Sequence, residues 1–222
     1  MKRLQQFALL ALVLLSPLYR VDAQEVKVSS ALLEAFGKTN ILDEERRQRV
    51  ISLLSQDTTL LLPLDLELDA ELVAFSDRTL RLKTSAVGSW ELRLLPLLNG
   101  SSLTSVIERV TRPQADARIT FLDQEGQVIK TEILALPTAE DFLRSLQLPE
   151  TSSGYRLREL LRPLHYQLSW AEGQADVLLV TPSLLLTEED KANTELTALI
   201  AQLPSLASTW DGKSFAPFTP RK

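Results

Sequence analysis

The sequence predicts an α+β protein: an antiparallel meander sheet covered by helices on one face, then a smaller C-terminal unit of β-hairpin, helix and hairpin. Three observations predict it. Residues 89–123 read as a three-strand meander with apolar alternation at Trp90, Leu92, Leu94 and at Ile119, Phe121, the period of strands buried on one face. Two short segments before residue 56 carry helical spacing. After Thr187 the helical period returns, with Ala192, Leu196, Leu199, Ile200 and Leu203 on one stripe. The expected division is a signal segment at 1–23, a helical cap plus antiparallel sheet at 24–150, and a smaller α+β unit at 151–222 that can pack into the same domain.

Each element has a local reason. Ser29 or Ser30 can cap a helix carrying Leu32, Leu33 and Phe36, which Gly37 would end in the left-handed conformation. Asp43 caps a second, with Glu44 and Glu45 at its positive end and Val50, Leu53 and Leu54 as its apolar stripe. Leucines at 60, 62, 64, 66 and 68 alternate with Pro63, Asp65, Glu67 and Asp69, which predicts an edge strand with one wet face. A hairpin follows at 71–75 and 79–83, then meander strands at 90–98, 103–110 and 117–123, with Asn99-Gly100 as a tight turn. Residues 127–134 are expected to return as a further strand. Thr138 with Asp141 opens a short helix, and residues 151–154 are read as a boundary or exposed loop. A hairpin about Glu172-Gly173 is stopped by Pro182. Thr187 with Asp190 opens the last helix, residues 206–215 form a terminal hairpin, and residues 218–222 are expected to fray.

The first residues have the layout of a signal peptide: Lys2 and Arg3, an apolar run at 7–15, and the small-residue exit Val21-Asp22-Ala23. The run stops short of the ~20 residues that span a bilayer, so cleavage is expected after Ala23 with no transmembrane anchor afterwards. Loss of Lys2, Arg3, Arg20 and Asp22 shifts the formal net charge from −5 to −7. That sign argues against nucleic acid. The chain has no cysteine, so a thioether-linked lipid and disulfides are both excluded, and the core must hold the fold alone. The expected location is the periplasm or the cell surface.

Candidate chemistry is sparse. His165 is the only histidine, which excludes multi-histidine metal sites. It shares the polar side of its strand with Gln167 and Ser169, as a solvent-facing residue would. Asp65, Glu67 and Asp69, with Glu71 beyond, could place carboxylates about 6–7 Å apart along a strand as a Ca²⁺ site. The leucines between them and the missing loop glycine favour a charged edge that deters aggregation. Glu188, Glu189 and Asp190 read as first-turn helix charges. Arg156, Arg158 and Arg162, with Glu159 among them, read as a solvated face. Trp90, Trp170 and Trp210 read as core. No residue is assigned a catalytic role and no cofactor is expected.

Six short motifs stand in order along the chain: Glu44-Glu45-Arg46-Arg47, Arg93-Leu94-Leu95-Pro96-Leu97, Ala117-Arg118-Ile119-Thr120-Phe121, Leu136-Pro137-Thr138 with Asp141-Phe142, Thr181-Pro182 with Glu188-Glu189-Asp190, and Trp210-Asp211-Gly212. As a set they resemble a Bacteroidales-restricted family of secreted proteins known only as a domain of unknown function, DUF3256. The resemblance implies export from a Gram-negative cell and supplies no catalytic residue. The expected function is a non-catalytic binding or structural component of the envelope, with an envelope protein or glycan as partner. The alternative is an envelope hydrolase using paired carboxylates.

Overall fold

A computed structural model describes residues 28–55, 71–174 and 176–221. The signal segment at 1–23 and the acidic stretch containing Asp65, Glu67 and Asp69 lie outside the described residues. Helices α1 (Ser30–Gly37) and α2 (Glu44–Ser55) come first. Strands β1 (Glu71–Phe75), β2 (Thr79–Lys83), β3 (Gly88–Pro96), β4 (Ser102–Val110) and β5 (Asp116–Leu122) then pair in sequence order as one antiparallel sheet. Short helices α3 (Ala139–Leu143) and α4 (Ser152–Leu160) lead to β6 (His165–Trp170) and β7 (Val177–Ser183). Helices α5 (Glu188–Ala192) and α6 (Thr194–Ile200) precede β8 (Leu206–Thr209) and β9 (Thr219–Pro220), which complete a second antiparallel sheet of order β6-β7-β8-β9.

The α+β class and the helix-covered meander are as the sequence predicts. Leu80, Leu92 and Val106 stand in cross-strand register, and with Leu82, Leu94 and Leu122 they bury against Leu32, Leu33, Phe36 and Val50 of the two N-terminal helices. The opposite face of the meander is covered as well. Leu95, Leu103, Ile107 and Phe121 pack against Leu168, Trp170, Leu178, Val180, Leu206 and Trp210 of the second sheet. The first sheet is therefore the middle layer. Five successive residues of β4, from Leu103 to Ile107, are buried, as expected for a strand with no wet face. A third cluster joins Leu143, Leu157, Leu161, Leu196 and Leu199 of the C-terminal helices.

Several local expectations are corrected. Gly37 stays within α1, which ends at Lys38 in right-handed geometry, so no left-handed cap is needed. Residues 127–134 form only one isolated bridge, Leu122 to Val128, closed by Ile129 N–H on the Phe121 carbonyl, because the chain then leaves the edge and its Ile133 carbonyl accepts from Phe215 N–H instead. Residues 151–154 are no exposed loop: Thr151 caps α4, and Ser153 and Gly154 are buried. Pro182 does not stop β7, which pairs Ser183 with His165. The stripe from Ala192 to Leu203 is divided by Asn193, whose extended ψ of 104° ends α5 while its side chain accepts from Leu196 N–H to start α6. Thr219 and Pro220 do not fray but pair with β8.

Candidate functional site

Register places charge in the layer between the sheets. Arg81 stands directly across from Glu91, the cross-strand position where opposite charges attract. Glu91 has a side chain only 2% exposed, and its Oε2 accepts from Arg81 Nε at 3.2 Å and Nη2 at 3.0 Å and from Arg109 Nη2 at 2.5 Å. Arg109 also donates through Nε to the Leu168 carbonyl of β6 at 2.8 Å. Two residues along β3, Arg93 stacks over the Trp170 ring at 4.8 Å and reaches Asp176 at 3.4 Å, which Arg78 meets from the other side at 3.4 Å. Asp176 takes a φ of 60° in the β6–β7 turn. Burial pulls the Arg93 and Arg109 guanidinium pKa values down, opposed by Asp176 for the first and Glu91 for the second. Each carboxylate thus sits between two guanidinium groups, an arrangement that locks layers together.

A second lock holds the C-terminal helices. Arg156 of α4 donates Nε to Asp190 Oδ1 at 2.8 Å and Nη2 to Oδ2 at 2.9 Å, a bidentate pair. The Arg156 guanidinium first, then the Thr187 N–H, hold the Asp190 carboxyl well below the usual carboxylate range. Beside it, Glu195 accepts from the Thr151 and Ser153 hydroxyls, both at 2.8 Å. Between α4 and α5 this leaves an open cavity of about 650 Å³.

A further concave feature lies at the end of the meander. A groove of about 490 Å³ runs between α1 and the β3–β4 and β5 turns, with Ala35, Lys38, Leu94 and Thr104 among its lining residues. It shares Ser101, Ser102, Asp123, Gln124 and Glu125 with a neighbouring groove of about 340 Å³ that reaches Trp210 and Lys213. Its rim is fixed: Lys38 Nζ donates to the Gln124 carbonyl at 2.6 Å, and Trp210 Nε1 donates to the Pro96 carbonyl at 2.6 Å. Apolar floor and polar rim together can hold an extended ligand by backbone-like hydrogen bonds and shallow apolar contact.

The residues singled out by sequence fall as follows. Asp65, Glu67 and Asp69 lie outside the described residues, and Glu71 faces Lys83 at 3.4 Å. Among the described residues no three His, Asp or Glu side chains converge as a metal site. His165 is partly exposed with Nδ1 3.2 Å from Asp116 Oδ2, so it has a partner that strand alternation did not reveal. Arg156 belongs to the helix lock instead of a solvated face, whereas Arg158 and Arg162 are exposed. Glu188, Glu189 and Asp190 occupy the first turn of α5 as expected, with Asp190 buried. Trp170 and Trp210 are core and Trp90 is partly buried against it. Sequence reasoning missed Glu91, Arg109 and Asp176. The available signal was Leu95, Ile107 and Phe121 on the same face of the meander, too apolar for a wet surface.

Fold and site define a layered α+β scaffold, two sheets and a helical cover joined by buried charge, with an open groove at one end. The chain belongs to the family described as a protein of unknown function (DUF3256), which it matches over residues 27–215. A solved structure described as a domain of an uncharacterized protein from Porphyromonas gingivalis W83 is similar, with a TM-score of 0.64 and 22% identity over 87% of this chain and 100% of that one. At that identity the likeness shows the fold. No curated protein matches the chain. Among the described residues no helix is long and apolar enough to cross a membrane.

Proposed function

We propose that this chain is an exported, non-catalytic binding component of a Gram-negative envelope, in the periplasm or at the cell surface, which receives its partner in the groove beside α1. The groove carries the reading: it is open, continuous across two lobes and mixed in polarity, which suits an extended peptide or glycan better than an enclosed metabolite. Export is supported by the layout of residues 1–23, and the Bacteroidales lineage by the similar structure from Porphyromonas gingivalis. The alternative, a hydrolase with paired carboxylates, is less well supported. The buried acids Glu91, Asp176 and Asp190 each face a guanidinium instead of a second carboxylate.

A photoreactive residue placed at Ser101 tests the groove against one at Ser169 on the exposed face of β6. Irradiation of intact cells should give a discrete adduct from position 101 and none from 169, and the envelope-fraction protein should begin at Gln24. Equal labelling from both positions, or turnover of a glycan or peptide by the purified protein, would overturn the reading.

A further inference from the structure

We infer that the cavity between α4 and α5 is a second binding site, independent of the groove, that takes a basic side chain, a lysine ammonium or arginine guanidinium presented by a partner protein. Ser152, Tyr155 and Glu159 stand at offsets of zero, three and seven on α4, so one face of the helix forms one wall. Glu189 of α5 contributes to the other. Between them the bidentate Arg156–Asp190 pair fixes the spacing of the two helices.

Charge then decides what the cavity accepts. Arg156 and Asp190 cancel, which leaves Glu159 and Glu189 as the remaining charged groups on the lining. Glu159 is 62% exposed and touches only the far side of Arg156, at 3.4 Å. The other cations of these helices do not supply the balance: Lys191 pairs with Glu188 at 2.5 Å, and Arg158 is no part of the lining. An anionic ligand is therefore repelled. Tyr155 adds an aromatic wall to the cavity. The residue is 58% exposed, the only aromatic among the large exposed apolar residues described, and among the described residues neither a ring nor a cation stacks on it. A bare aromatic face beside two carboxylates is the arrangement that attracts a cation through the ring quadrupole and Coulomb attraction together. At about 650 Å³ the cavity admits a whole lysine or arginine side chain.

The test titrates the full mature chain with acetyl-trilysine amide and follows amide resonances of α4 and α5 by NMR. Saturable shifts there are expected, weakening with added salt. Tyr155→Ala should lower the affinity about 2- to 5-fold, while Tyr155→Phe, which keeps the ring, should retain it. Glu159→Gln with Glu189→Gln should remove most binding and its salt dependence. Melting curves check that each variant is folded; Glu159→Gln removes only the 3.4 Å contact with Arg156 Nη1 and leaves the bidentate Arg156–Asp190 pair in place. Absence of shifts with the wild-type chain, binding indifferent to Tyr155→Ala or to the glutamine pair, or equal shifts with uncharged maltohexaose would each overturn the inference.

Discussion

Replacing Glu91 with leucine is the sharpest test of the layered architecture. Leucine suits the apolar face it would join, directly across from Ile107, so the change removes charge without opening a large cavity. What it strands is Arg109, whose side chain is only 18% exposed and whose Nη2 would lose its acceptor while Nε keeps the Leu168 carbonyl. Arg81, 39% exposed, can turn to water, so its share is screened and small. Breaking a buried pair costs about 3–5 kcal/mol, and the lower end, about 3 kcal/mol, applies because one of the two arginines escapes. For a chain of this size that lowers Tm by roughly 6–12 °C. The assay is urea unfolding of Glu91→Leu, Arg109→Met and the double variant, with the m-value checked for constancy. The double variant should lie within about 1 kcal/mol of wild type, because no uncompensated charge remains. A single-variant loss below about 1 kcal/mol, or a double variant equal to the sum of the singles, would refute the reasoning.

Three further outcomes follow from particular contacts. Gly154→Ala, ordinarily favourable in a helix, should destabilise by about 2 kcal/mol or more, because a Cβ there stands 2.1 Å from the Pro149 carbonyl oxygen; an unchanged urea midpoint would contradict this. Asp190 has a depressed folded pKa, so its contribution is present above the unfolded carboxylate value near pH ~4 and is lost as pH falls through the folded value. The Tm gap between wild type and Asp190→Asn should therefore narrow from pH about 6 to about 2, and a constant gap would count against the pairing. His165→Ala removes a half-exposed contact with Asp116 and should change stability by less than about 1 kcal/mol, with secretion unaffected in a fractionation assay.

Much of this fold is legible because strand and turn signals are local. The period at Trp90, Leu92 and Leu94, the Asn99-Gly100 turn and the Thr187 to Asp190 capping box each act within a few residues, and the structure places each as read. Glu91 shows why the rest was not. On a strand it alternates with buried leucines and so looks solvent-facing, yet the second sheet, nearly eighty residues later, covers it. No local pattern encodes that packing. Asn193 is different: its side chain caps α6 through Leu196 N–H, a local signal, but it lies inside an apolar stripe that continues on both sides of it. The groove drew no signal because turns, a helix end and the last hairpin build it together.

Among the described residues no strand lies beside the outer edge of β6, yet two of its polar groups are met: Asp116 Oδ1 accepts from Tyr166 N–H at 3.2 Å and Arg109 Nε donates to Leu168 O at 2.8 Å. Side chains of the meander thus imitate a neighbouring strand. A C-terminal fragment cut free at residue 151 would carry that edge bare, with the apolar Leu168, Trp170, Leu178 and Val180 unshielded behind it, the combination that recruits further copies into aggregates. The meander thus covers both the edge and the apolar face of its successor, and it leaves the ribosome first.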